Sequence, residues 1–65
     1  MNEAKLRMDN GLVEIRENGL TYHAEINDLR SWVGDKVTDT LLKEGQIQVI
    51  FKDDGPYVEQ IITIK

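Results

Sequence analysis

The stretch LRMDNGLVEIRENGLTYHA, residues 6–24, decides the fold. It holds two Asn-Gly dipeptides, Asn10-Gly11 and Asn18-Gly19, eight residues apart. Asn-Gly suits a two-residue hairpin turn because both central residues must take positive φ. Reading each dipeptide as such a turn fixes two registers. The first sets Asp9 opposite Leu12, Met8 opposite Val13, Arg7 opposite Glu14, Leu6 opposite Ile15 and Lys5 opposite Arg16. The second sets Glu17 opposite Leu20, Arg16 opposite Thr21, Ile15 opposite Tyr22, Glu14 opposite His23 and Val13 opposite Ala24.

The two registers check each other. Leu6, Met8, Val13, Ile15, Leu20, Tyr22, Ala24 and Ile26 fall on one face, and Lys5, Arg7, Glu14, Arg16, Thr21, His23 and Glu25 on the other. A slip of one residue would exchange the faces. The misfits are Glu17 on the apolar side, at a turn, and Leu12 on the polar side. The pattern predicts a three-stranded meander with Ile15 and Tyr22 opposed and buried, the Tyr22 hydroxyl reaching an edge. Glu14 and His23 should be opposed and more exposed.

Outward from the meander, Asn27-Asp28 reads as an N-cap pair before Leu29. Leu29, Trp32, Val33, Val37 and Leu41 recur at three- and four-residue spacing, an apolar helix stripe. Gly45 is a natural stop after Lys43. One helix over 29–43 is expected; the alternative is a short helix over 29–33, a turn at Gly34-Asp35 and a second turn capped by Thr38. Trp32 is a core anchor on this reading, or alternatively a hot spot for a partner.

From Gln46 onward β-branched residues dominate, interrupted by Asp53-Asp54-Gly55-Pro56. Pro56 cannot donate the closing bond of a two-residue turn, so a longer loop is expected. These strands carry apolar residues on both faces: Ile47, Val49 and Phe51 against Ile50, then Ile61 and Ile64 against Ile62. A one-sided antiparallel sheet alternates more cleanly. The fold class is therefore α+β: a single small domain over 1–65, ordered β-β-β-α-β-β, with one central helix packed on an antiparallel sheet.

Composition narrows the function. Sixty-five residues can bury only about 60% of the surface of the unfolded chain. With no cysteine, neither a disulfide nor a thiolate metal site supplements the core. Oligomerisation is the remaining common device. Twelve acidic against eight basic residues give a net charge of −4. That speaks against a nucleic-acid binder, which needs a basic stripe, and for a partner with a basic surface. The start at Met1 has no basic n-region and the longest apolar run is Val49-Ile50-Phe51. A complete small reading frame in the cytoplasm, without membrane contact, is expected.

Catalytic chemistry finds little footing. His23 is the one histidine and Ser31 the one serine, and Ser31 lies on the expected helix. Gly34-Asp35-Lys36 lacks the rest of a phosphate loop. Asp53-Asp54-Gly55 lacks the spaced acids of a calcium loop. No enzyme, cofactor or metal is expected. Lys5, Arg7, Arg16, Arg30 and His23 could gather into a cationic patch for a carboxylate or phosphate. Tyr57, beside Pro56, should be exposed and available to a partner. Ile50, Ile61, Ile62 and Ile64 form the expected interface of a dimer or higher homo-oligomer.

The leading functional expectation is a small protein that binds and blocks another protein. Phage and mobile-element products that inhibit host proteins are of this class. The alternatives are a protein that sequesters a small anionic ligand such as a nucleotide, and an antitoxin-like regulator or structural subunit.

Overall fold

The computed structural model describes residues 2–52 and 57–64. The chain forms β1 (Asn2–Asp9), β2 (Leu12–Glu17), β3 (Leu20–Ala24), α1 (Ile26–Val33), α2 (Asp35–Glu44), β4 (Gln46–Phe51) and β5 (Val58–Thr63). All five strands join one antiparallel sheet in the order β3-β2-β1-β4-β5. The helices lie on one face, and their main contacts are with β1, β2, β4 and β5. No helix among the described residues is long and apolar enough to cross a membrane.

The meander follows the expected registers pair for pair. Both Asn-Gly turns take the required backbone: φ is 53° at Asn10 and Asn18, 83° at Gly11 and 79° at Gly19. Two consecutive positive φ values match the right-handed twist of the flanking strands. The alternation of β2 therefore sends Val13 and Ile15 into the core, where both are buried.

The helix departs from expectation in two ways. It begins at Ile26, with Glu25 at the cap position and no side-chain cap bond, so Asn27 and Asp28 sit inside the first turn. There Asp28 faces the positive end of the helix dipole. The single helix over 29–43 is also broken in two. Gly34 takes φ 89°, which ends α1 and starts α2. Its N–H donates to the Arg30 carbonyl at 2.9 Å, and its own carbonyl accepts from the Thr38 hydroxyl at 2.8 Å. Arg30 then bridges the break, donating to Asp35 at 2.9 Å and Asp39 at 3.1 Å. Gly45 closes α2 as expected, its N–H on the Leu41 carbonyl at 2.7 Å and its carbonyl accepting from Met8 at 2.9 Å.

The core lies between the helices and the middle of the sheet. Leu29, Val37 and Leu41 meet Leu6, Ile15, Ile47 and Val49, all essentially inaccessible to water. Trp32 packs against this cluster and is half-buried, its ring 5.5 Å from that of Phe51. Tyr22 does not join the core. It stands 40% exposed, because β3 is an edge strand beyond the main reach of the helices. Leu20, on the same strand, is 65% exposed.

The expected turn at 53–56 lies outside the described residues. The hairpin it joins pairs Ile50 with Gln60 and Phe51 with Val58, so Glu59 is the extra residue of a β-bulge. Ile61 pairs with Val49 on the helix side, while Ile62 pairs with Gln48 on the open face. Ile64 does not share the side of Ile61. It lines a hollow on the open face with Gln46, Arg7 and Glu14. The expected isoleucine patch is thus divided: Ile50, Ile62 and Ile64 on the open face, Ile61 against the core.

Candidate functional site

Two surfaces carry the residues singled out from the sequence. The first is the open face of the meander, centred on Glu14. Pairing places Arg7 across from Glu14 on β1 and His23 across from it on β3, and Arg16 follows two residues along the same strand face. Arg7 Nη2 donates to Glu14 Oε2 at 2.8 Å and Arg16 Nε donates to Oε1 at 2.9 Å. Both carboxylate oxygens are thereby held, and the flanking side chains leave Glu14 only 7% exposed. The expectation of an exposed Glu14 is corrected. A carboxylate on a nominally solvated face is covered by the long stems of the two arginines. His23, as expected, is exposed.

This pairing sets the local electrostatics. The hydrogen bond from Arg7 holds the Glu14 carboxyl below the usual carboxylate range, against the opposing effect of burial; the charges of Arg7 and Arg16 act in the same sense as the bond. Arg7 is shifted upward by the same hydrogen bond. His23 Nε2 lies 3.9 Å from Glu14 and 3.8 Å from Asp9, beyond hydrogen-bond reach.

Asp9, Glu14 and His23 offer three ligand atoms within 4.8 Å of one another. The donor set nevertheless does not suit a metal ion. Arg7 Nη2 already occupies the space a cation needs, 2.8 Å from Glu14 and 3.9 Å from Asp9.

Nor do the basic residues form one anion site. Arg30 belongs to α1 and is engaged by Asp35 and Asp39. Arg7 and Arg16 each give a donor to Glu14. Lys5 and Arg16 flank a hollow of about 530 Å³ beside the Asn18-Gly19 turn, but Glu3 and Glu17 line it as well. The hollow offers a balanced field, not a cationic one.

The second surface is a groove of about 900 Å³ between the helices and β5. Trp32, Lys36 and Val37 form the helical wall; Tyr57, Val58 and Ile61 form the strand wall. Tyr57 is 74% exposed, as its place beside Pro56 suggests. Trp32 packs on the core and also lines the groove. Lys36, Val58 and Glu59 were not foreseen as groove residues. Their placement depends on the break at Gly34 and the bulge at Glu59, neither of which the local sequence states. The burial of Glu14, in contrast, could have been anticipated from the three basic neighbours its register gives it.

Comparison with protein-family models, curated proteins and solved structures found no match to this chain.

Proposed function

We infer that this chain is a non-enzymatic binding protein that acts by occupying another protein, and that it works as a homo-oligomer. The observation that carries the reading is the groove between the helices and β5, with Trp32 and Tyr57 on its opposite walls. Aromatic side chains that offer apolar area and a polar handle are the commonest anchors of protein contacts. Tyr57 holds most of its surface in water, so its burial by a partner is a net gain. The net charge of −4 favours a partner with a basic surface through long-range attraction. Inhibition of a host protein by a small phage or mobile-element product, in the host cytoplasm, is the biological setting of this reading.

Anion sequestration is the weaker alternative, because the acids beside Lys5, Arg7 and Arg16 offset those bases. The test is retention of a protein from cell extract by the immobilised chain, compared with folded Tyr57→Ala and Lys5→Ala variants. The reading expects a partner that wild type and Lys5→Ala retain and Tyr57→Ala loses. Equal retention by all three, or none by wild type, overturns it.

A further inference from the structure

The sheet ends in two edges, β3 and β5, and they are unlike. β3 exposes Leu20 and Tyr22 on its helix side, but its open-face residues are Thr21 and His23, beside the charges of Glu14 and Arg16. β5 has apolar side chains on both faces: Val58 and Ile61 on the helix side, Ile62 on the open side, with Ile50 and Ile64 beside it. The bulge at Glu59 twists one end of β5, but residues 60–64 carry no formal charge and no proline. Soluble proteins blunt an edge with such residues; Leu20–Ala24 of β3 lack them too, so the two edges differ in the apolar open face that Ile50, Ile62 and Ile64 give β5.

We propose that β5 pairs antiparallel with β5 of a second copy of this chain, about a two-fold axis at Ile62, joining two five-stranded sheets into one. This rests on the self-association in the reading above and gives it a place. Three conditions limit the register, and among the registers that meet them the one centred on Ile62 pairs the whole of residues 60–64. The axis must pass through a residue, since an axis between residues would set inward-facing positions against outward-facing ones. The pairing must stay clear of the bulge. It must also bring no like charges together, in a molecule whose net charge is −4.

An axis at Ile62 meets all three. It sets Ile62 against its own mate, Ile61 against Thr63 and Gln60 against Ile64. Lys36 and Glu59 in the adjoining groove give each copy one charge of each sign, so the approach is not opposed there. The contact is isologous and closed, and it turns two unpaired edges into ladder hydrogen bonds. An ordinary interface of about 800 Å² per partner would take under a fifth of the 4479 Å² this chain exposes. Tyr57 lies five residues from the axis, about 17 Å along the strand, so the aromatic end of the groove stays open to another protein.

The experiment uses the full chain, which has no cysteine of its own. Light scattering across a concentration series reads the mass of wild type and of Ile62→Lys, with circular dichroism to confirm folding. Ile62→Cys and Leu20→Cys, the latter on β3, are oxidised in parallel and run without reductant. The proposal expects wild type to rise to twice 7.5 kDa, Ile62→Lys to stay at the single mass, and Ile62→Cys but not Leu20→Cys to give a covalent dimer. If Ile62→Lys does not fold, the cysteine pair decides alone. A wild-type dimer that Ile62→Cys does not link, or that Leu20→Cys links instead, overturns the β5 contact and leaves self-association standing. A wild type fixed at 7.5 kDa overturns both and leaves the Tyr57 reading untouched.

Discussion

The two ends of the sheet handle their polar and apolar surface in opposite ways. On the meander, the open face is a closed set of charges: Glu14 receives Arg7 and Arg16, with His23 and Asp9 alongside. Tyr22 on its edge donates to Glu17 at 2.7 Å. On β4 and β5, glutamines and isoleucines replace the charges, and no such network forms among the described residues. One open face is thus charged and internally paired, the other uncharged and more apolar. On the charged face the Glu14 carboxylate is fully engaged by Arg7 and Arg16, which offsets their charge toward an incoming anion. Both edges leave backbone groups unpaired, but only β5 does so beside an apolar open face and an aromatic groove.

The two ends should respond most differently to the same truncation made on each. Ile15→Ala removes a side chain that is 2% exposed at the heart of the meander. It should cost about 2–5 kcal/mol in denaturant melts. Ile61→Ala removes a half-buried side chain on β5, and in dilute solution it should cost about 1 kcal/mol. Equal costs would mean that β5 is as deeply packed as β2.

A smaller effect sharpens the account of the charged face. Because the carboxyl of Glu14 is depressed in the folded state, its contribution is complete above the ordinary value of 4.5. It is lost as pH falls through the depressed value. Glu14→Gln should lower stability at neutral pH, since the amide gives Arg7 and Arg16 no charge to meet. Its acid limb below pH 4.5 should also be flatter than that of wild type. Parallel limbs in a pH series of urea melts would show that the pair contributes nothing. The smallest effect belongs to the edge. Tyr22→Phe deletes an exposed hydrogen bond and should change stability by no more than about 0.5 kcal/mol.

Legibility in the sequence follows the same division. The meander was readable because each Asn-Gly turn demands one backbone geometry and so one register. The terminal hairpin was not: its turn is no two-residue type, and the bulge at Glu59 shifts the pairing by one. Ile61 and Ile64 are expected on one face, whereas Ile61 packs toward the helices and Ile64 belongs to the open face. The break at Gly34 was an open alternative, since a helical glycine can be merely tolerated and its positive φ is set by what packs on either side. Tyr22 departs from expectation because alternation assigns a face, while burial depends on how far the helices extend. Of the site residues, Tyr57 was placed correctly by its proline neighbour. Arg7 and Arg16 were recognised as neighbours, but not as mutual partners of one covered carboxylate.

On the proposal above, the two ends of the sheet differ in that the β5 edge takes a further strand. Native-state amide hydrogen exchange, followed by NMR from dilute to concentrated protein, tests it strand by strand. Amides within residues 60–64 should gain protection as concentration rises, while those of β3 stay unchanged. Protection that rises along β3 instead, or that is independent of concentration throughout the sheet, would contradict the account.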